Sequence, residues 1–425
     1  MKKNHQTTMK LPKVLIGDLC GVYETQNISQ AVFQGLADFL LLPSAEQILD
    51  GFALHQLYDI EARRDCRKVS IRLPQSLYYI LQALSNGNDI CVTASQMLAR
   101  IVYQPLEKAD FTQSRKKLIN IMGSKYDKRM RDAISQIFET AGRRWKLSVE
   151  TCAGALGIHS NFEVASREII NDDDTEKINL YRAVKEHPRD LVIEAAALDT
   201  SPDTFQRLKK QDFSASAKKV NVEDAASFLF LNQTTYRNEG STFLTGMNSA
   251  RWKKRLEAIY PMHQRLKHTE ICEMDLFKII GKYRKENNAL FIVDPPYLDT
   301  NVYTSRNVRE ETDHGTAFGL EEHERLAKLL RLVKENNHND FIYFCRITAT
   351  RRKNKQNEII SSDEELESSD KHMKGRIDDL YFGHGFYFLD VELDKGTIER
   401  IITTFPFEDA LPYGASNESE VVGNA

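Results

Sequence analysis

The chain has 425 residues, 41% of them hydrophobic and 28% charged, with 58 Lys+Arg against 61 Asp+Glu for a formal net charge of −3. At roughly 100–200 residues per domain this length predicts two or three domains, and the apolar fraction supports packed cores over wholesale disorder. The near-neutral total does not announce a nucleic-acid binder, although a local basic face can sit inside it, and no apolar run reaches the ~18 residues of a membrane span.

The basic start, MKKNHQTTMK, is not followed by an apolar leader with a small-residue cleavage site. The six cysteines (Cys20, Cys66, Cys91, Cys152, Cys272 and Cys345) form no C-x-x-C pair and have no His cluster beside them. That argues against a zinc site and against a dense disulfide framework, and it favours a reducing cytoplasm.

Residues 1–110 read as a mainly helical extension with one strand-like piece. Leu36, Phe39 and Leu40 fall at helical spacing before Pro43 breaks the pattern, and Ser44 is placed to cap a helix through Ile48 and Leu49. Val69, Ile71 and Leu73 alternate with Lys68, Ser70 and Arg72, which predicts a strand with one apolar and one polar face. Pro74 ends it and opens a helix carrying Leu77, Ile80, Leu81 and Leu84. After the Asn86–Gly87 turn, Thr93 or Ser95 caps a second helix with Met97, Leu98, Ile101 and Val102.

From about residue 111 an Arg/Lys-rich stretch leads into strand–helix alternation, the pattern of an α/β domain with a largely parallel sheet. Leu147–Glu150 reads as a short strand before a Gly-containing turn. Ala289–Val293 and Phe341–Phe344 read as strands buried on both faces, with an amphipathic helix (Leu326, Leu329, Leu330, Val333) between them. Phe386–Leu393 and Ile398–Thr404 flank Asp394–Lys395–Gly396 as a hairpin. Arg351–Lys374, basic and then acidic and Ser-rich, reads as a mobile loop, and 411–425 as a disordered tail. No internal repeat is evident.

Asp294–Pro295–Pro296–Tyr297 follows directly on the 289–293 strand. In open parallel sheets, ligands sit at the carboxyl ends of the strands, where this tetrapeptide falls. Its residues suit one chemical problem. The amino group of an aromatic base is a poor nucleophile because its lone pair is delocalised into the ring. A carboxylate at Asp294 and the carbonyl of Pro295 supply two acceptors for its N–H groups, which frees that lone pair. The prolines fix φ and lack donors, so the turn is stiff. Tyr297 offers a ring on which an extruded base can stack, and the remaining catalysis is orientation.

With this turn in view, the sequence resembles the Dam-like adenine-N6 DNA methyltransferases over roughly residues 120–350, with the family's motif order kept. Gly123–Ser124–Lys125–Tyr126 resembles the opening G-G-K-Y motif, which implies a cofactor contact for Lys125. Glu150–Gly157 (ETCAGALG) resembles the E-P-F-x-G-x-G loop, which implies cofactor contacts for Glu150, Gly154 and Gly157. The stretch from Asn171–Asp172 to the INLY run resembles the next strand end and selects Asp172 for the ribose hydroxyls. Asp275 matches the acidic residue that reads the cofactor's adenine. Phe228–Asn232 resembles the F-L-x-L-N strand that enters the target-recognition region, which implies nucleic-acid contacts for Asn232, Tyr236 and Arg237. Cys152 stands where the family usually has Phe, Gly157 lies one residue late, and the N-G-L-x-R pattern after Asn232 is not kept.

The resemblance implies a Rossmann-like α/β methyltransferase sheet with an inserted helical target-recognition region at about 185–270, inside a domain spanning 111–410. It further implies S-adenosylmethionine as cofactor and double-stranded DNA as partner, while the cysteine pattern and the lack of a long apolar run lead us to expect no metal and no membrane. Residues 67–104 of the extension resemble a ribbon-helix-helix DNA-binding unit, with Lys68, Ser70 and Arg72 on the groove face. One strand cannot make a ribbon, so that resemblance implies a homodimer through the N-terminal segment; the same residues also fit a half-buried edge strand beside two core helices. Two other functions stay open on sequence alone: methylation of RNA adenine or cytosine N4, and a non-catalytic DNA-binding regulator with a vestigial methylase domain.

Overall fold

The computed structural model describes residues 4–43, 47, 65–87, 89–104, 106–111, 117–119, 125–142, 144–211, 219–235, 242–298, 318–335, 338–348, 363–393 and 397–412. In chain order the first elements are β1 (Asn4–Pro12), α1 (Lys13–Val22), α2 (Ile28–Leu41), β2 (Cys66–Pro74), α3 (Gln75–Ser85), α4 (Ile90–Tyr103) and α5 (Lys128–Ala141). Then come β3 (Leu147–Glu150), β4 (Arg167–Asp172), α6 (Thr175–Glu186), α7 (Pro188–Ala196), α8 (Pro202–Lys209), α9 (Val222–Gln233), α10 (Ser249–Leu256) and α11 (Ile259–Leu266). The chain ends with β5 (Glu270–Glu273), α12 (Leu276–Tyr283), β6 (Ala289–Val293), α13 (Leu320–Glu335), β7 (Asp340–Arg346), α14 (Asp363–Tyr381), β8 (Tyr387–Glu392), β9 (Ile398–Thr403) and β10 (Leu411–Pro412). Two compact units result: Met1–Met122 with Thr175–Lys267, and Gly123–Asp174 with His268–Ala425.

The second unit holds an eight-stranded sheet in the order β10-β8-β9-β7-β6-β3-β4-β5. Strands β3 to β7 are parallel, and β8, β9 and β10 join antiparallel. Alternation within the buried strands sends side chains to both faces. Phe291, Val293, Phe341 and Tyr343 pack with Leu276, Ile280, Leu326 and Leu330 of α12 and α13, while Leu290, Ile292, Ile342 and Phe344 pack with Met130, Ile134 and Ile137 of α5. Such two-sided burial, about 1.5–3 kcal/mol for each large apolar side chain, is why these strands read as continuous apolar runs. The chain runs outward through β3, β4 and β5, then returns to place β6 on the other side of β3. The strand order therefore reverses between β3 and β6, the place where open sheets bind ligands.

Four sequence expectations change here. Phe228–Asn232 is helical, within α9, not a strand: Asn221 caps that helix by accepting from the Glu223 and Asp224 amides, and Ala225, Ala226, Leu229 and Phe230 form its buried stripe. The loop expected over 351–374 is α14 from Asp363 onward, because Met373, Ile377 and Tyr381 line up at i, i+4, i+8 and are buried; residues 351–362 lie outside the described residues. The second N-terminal helix starts at Ile90 and is capped by Asp89, whose carboxylate accepts from the Cys91 amide; Ser95 sits inside the helix and donates to the Cys91 carbonyl. Of the expected tail, Leu411–Pro412 forms β10, and 413–425 lies outside the described residues, as do Ser44, Ile48, Leu49 and Asp394–Gly396.

The first unit begins with an internal repeat that reading in chain order does not show. Strand, helix and 14-residue helix each recur 62 positions later: Asn4 and Cys66, Lys13 and Gln75, Ile28 and Ile90. At that offset Thr8–Met9–Lys10–Leu11–Pro12 matches Ser70–Ile71–Arg72–Leu73–Pro74, Leu15 and Leu19 match Leu77 and Leu81, and Gln34, Leu36 and Ala37 match Gln96, Leu98 and Ala99. The two strands pair antiparallel from Asn4↔Pro74 to Pro12↔Cys66. The ribbon's mate strand thus comes from the same chain, and the pairing argument for a homodimer falls away. Below the ribbon the 14-residue helices meet closely: a Cβ on Gly35 would lie 2.6 Å from Leu98 Cδ2.

In the same unit, α2 packs on α7. Asp38, 2% exposed, accepts from Arg189 Nε at 2.6 Å, from Arg189 Nη2 at 2.9 Å and from the Tyr23 hydroxyl at 2.8 Å. Ser76 of α3 donates to Glu194 of α7 at 2.8 Å.

Candidate active site

At the carboxyl end of β6, Asp294 sits against an ammonium group. Lys125 Nζ lies 2.8 Å from the Asp294 carboxylate and donates to the Tyr297 hydroxyl at 2.7 Å, with Glu399 Oε2 of β9 at 3.5 Å. Lys125 and Glu399 are buried, at 3% and 4% side-chain exposure, whereas Asp294 keeps 23% exposed and can meet a ligand. Burial raises the Asp294 carboxyl from its ordinary range to about 6; Lys125 opposes that rise and Glu399 adds to it.

The position of Lys125 is fixed from behind. A Cβ on Gly157 would lie 2.9 Å from the Lys125 backbone nitrogen and 3.2 Å from its Cα, so only glycine lets the two segments pass. The neighbouring Tyr126 hydroxyl bonds Ser160 Oγ at 2.8 Å and the Ala155 carbonyl at 3.3 Å, and burial pushes it up to about 12. It stays a neutral tie that holds the 153–160 turn against the Lys125 segment.

The other strand ends carry the remaining acids. Glu150 ends β3, is 6% exposed, and stands opposite Ile292 of β6 in register. Asp172 ends β4; its Oδ2 accepts from the Gly154 amide at 2.9 Å and its Oδ1 from the Asp174 amide at 3.1 Å. Gly154 takes φ +49°, in the left-handed region that glycine reaches at least cost. Asp275 follows β5, is exposed, and caps α12 by accepting from the Phe277 and Lys278 amides. Asn171 ties three strand ends together by donating to the Thr151 and Met274 carbonyls, both at 2.9 Å. Its Oδ1 is buried with no hydrogen-bond partner among the described residues, an acceptor left at the edge where a polar ligand would be held.

Cys152 stands between two acids. Burial, with Asp172 and Asp294 adding to it, pushes the thiol well above its usual range, so it is a neutral lining group and not a nucleophile. Tyr297 departs from the simplest sequence reading. Its side chain is 2% exposed, and Lys125 Nζ and Arg346 Cζ lie 5.2 and 5.4 Å from the ring centroid. The ring is therefore not open for a base to stack on it.

Sequence reasoning missed Glu399 and Arg346. Both lie on strands past the motif-bearing stretch, and only the antiparallel pairing of β7 with β9, which sets Arg346 opposite Glu399, brings them in. Asn232 is half-buried at the end of α9 and its carbonyl accepts from the Thr235 hydroxyl; Tyr236 and Arg237 lie outside the described residues. Lys68, Ser70 and Arg72 are exposed on β2, in the other unit.

Comparison with known proteins gives one family. A model described as D12 class N6 adenine-specific DNA methyltransferase matches residues 122–374. No curated protein matches the chain. The matched span covers more than half of the 425 residues and takes in Lys125, Glu150, Asp172 and Asp294 together, and the chain therefore belongs to the D12 class N6 adenine-specific DNA methyltransferase family.

Proposed function

We propose that Asp294 is the group through which this DNA adenine-N6 methyltransferase activates its target amine. Two observations support the reading: a carboxylate at the strand-order reversal, and a buried lysine held on it at 2.8 Å. The ionised carboxylate accepts one N6–H of an adenine flipped out of the duplex, and the Pro295 carbonyl accepts the other. The amine nitrogen is drawn toward tetrahedral geometry, and its lone pair points away from the ring. The N–H proton that must leave already lies in a hydrogen bond to Asp294. Lys125 keeps the carboxylate ionised and fixes its rotamer, and Tyr297 orients Lys125 through the hydroxyl while Pro295 and Pro296 stiffen the turn. Each carboxylate oxygen has two lone pairs, so the lysine does not exhaust the acceptors.

S-adenosylmethionine, the family's methyl donor, supplies an activated methyl group when bound. The donor set at the sheet edge fits such a nucleoside: Asp172 for vicinal hydroxyls, Asp275 for an adenine amine through the oxygen not engaged in its cap, and Glu150 for the methionine part. Gly154 lets the backbone come close, and Gly157 acts by letting Lys125 pass. Asn232, Tyr236 and Arg237 are proposed nucleic-acid contacts on the strength of motif order alone, and the cytoplasm is the proposed location on the strength of cysteine usage.

The test is in vitro methylation with tritiated cofactor and duplex DNA, followed by nucleoside analysis of the product. N6-methyladenine is expected, and Asp294→Ala is expected to abolish it while the chain stays folded and binds cofactor by calorimetry. Recovery of N4-methylcytosine, or label in RNA but not DNA, would move the acceptor. Undiminished transfer by the variant would remove the mechanism.

A further inference from the structure

We propose that the β1–β2 ribbon is a second DNA-binding surface, completed within one chain and shaped for a duplex site of approximate two-fold symmetry. The methyltransferase family match begins at residue 122, so nothing in that match assigns a role to this ribbon. The inference takes from the proposed function only that DNA is the polymer at hand, and it does not depend on Asp294.

Register and burial build the surface. Met9, Leu11, Val69, Ile71 and Leu73 point into the unit and are buried, which leaves Gln6, Thr8, Lys10, Lys68, Ser70 and Arg72 exposed on the opposite face. Thr8 stands opposite Ser70, and these two residues are also each other's repeat counterparts. A dyad therefore passes between them. It relates Lys10 to Arg72 and Gln6 to Lys68, so that a single chain carries two copies of one polar pattern. Duplex DNA offers two antiparallel strands related by a dyad at any palindromic step, and its major groove is about 12 Å wide and admits a two-stranded ribbon.

Charge says what covers this face. Lys10 lies directly opposite Lys68, and Arg72 opposite Gln6. Like charges across a strand pair are destabilising, and among the described residues no carboxylate pairs with any of the three cations. Three cations with amide and hydroxyl groups between them, on a chain of net charge −3, fit a polyanion that also presents donors and acceptors. Arg and Lys suit guanine edges or phosphates, Gln suits adenine, and Ser or Thr suits any base. Gln6 Nε2 donates to Ser70 Oγ at 3.4 Å, a hydrogen bond between the polar faces of the two strands.

The experiment uses the full chain and a fluorescent, randomised 30-base-pair duplex library. Binding is followed against salt for the native protein and for Lys10→Ala/Lys68→Ala/Arg72→Ala, with thermal melting as the control on folding and sedimentation to count chains per duplex. The folded triple variant is expected to lose on the order of 10- to 1000-fold in affinity and about three from the slope of log K against log salt. One chain is expected per duplex, and the sequences the native protein enriches should show two-fold symmetry that the triple variant loses. An unchanged slope and affinity in a folded triple variant would overturn the proposal. So would two chains per duplex, the result if a second copy covers the ribbon, or cation-dependent binding to vesicles of anionic lipid without binding to the library. If the triple variant does not fold, Thr8→Ala/Ser70→Ala is read in the same assay, and retention of the symmetric enriched motif would equally overturn it. All these readouts are of binding, so they stand whether or not Asp294→Ala abolishes methyl transfer.

Discussion

A buried lysine lies between two carboxylates, Asp294 and Glu399. In the proposed mechanism Asp294 must be ionised to accept an N–H, and its carboxyl is raised to about 6, so kcat/KM for DNA is expected to fall as pH drops through about 6. Glu399 raises that value and Lys125 lowers it. Glu399→Gln is therefore expected to move the acid limb to lower pH, and Lys125→Met to move it to higher pH while reducing the rate. Limbs that stay in place in both variants would exclude Asp294 as the titrating group. The same shift has a stability consequence of opposite sense. A carboxyl whose folded value lies above its unfolded one favours the fold below the unfolded value and loses that contribution as pH rises through the folded one. At pH 8 two effects oppose each other in Asp294→Asn: the variant removes a carboxylate that burial disfavours, and it leaves the buried Lys125 with Glu399 at 3.5 Å as its remaining carboxylate. A melting curve at pH 8 therefore accompanies the rate measurement on that variant. The turn itself was legible in the sequence because a strand end followed by two prolines leaves little conformational choice. The Glu399 contribution was not, because strand pairing, not sequence spacing, brings β9 beside Lys125.

Elements were legible where one physical signal dominated. The strands β3, β6 and β7 announce themselves by apolar runs that pack on both faces, and β2 by strict alternation. Helix α14 was missed because its acidic, Ser-rich start reads as solvent-loving, while its apolar stripe starts ten residues in at Met373. One constraint joins two elements directly: Gly157 lets the turn after β3 cross the Lys125 backbone at 2.9 Å from a would-be Cβ. Gly157→Ala is expected to cost about 1–3 kcal/mol of stability by overpacking. Its larger effect is expected on turnover, because the backbone that gives way carries Lys125; chemical denaturation together with a kcat measurement separates the two. Next to Glu399 on β9, between β8 and β7, Arg400 is 2% exposed and binds Asp390 at 2.6 and 2.7 Å and Asp378 of α14 at 2.7 Å. Arg400→Met is expected to destabilise by about 2–4 kcal/mol. The lower part of that range is favoured because both aspartates stay about a third exposed, at 33% and 31%. A change in melting temperature of less than a degree would show that the triad holds nothing.

At the scale of the molecule, the chain's order along the sequence conceals how it is assembled. The N-terminal 122 residues and the segment Thr175–Lys267 form one unit, although β3, β4 and the 123–174 segment of the other unit lie between them in sequence. A linear reading takes them as two regions because the Asp38–Arg189 pair and the α2–α7 packing join positions some 150 residues apart. The repeat at residues 4–103 was hidden for a related reason: its two copies share strand ends and core leucines but few other residues, and the intervening helices differ in composition. The ribbon they form is expected to behave as a property of the monomer, so dilution below any self-association limit should leave DNA affinity unchanged in an anisotropy titration. The most direct measurement of all is the single-turnover rate of methyl transfer by native and Asp294→Asn protein, at pH 8 and with cofactor and DNA both saturating. A loss on the order of 10²-fold or more is expected, the size seen when one preorganised polar contact to a reacting group is removed; a rate within a few-fold of native would contradict the role assigned to that carboxylate.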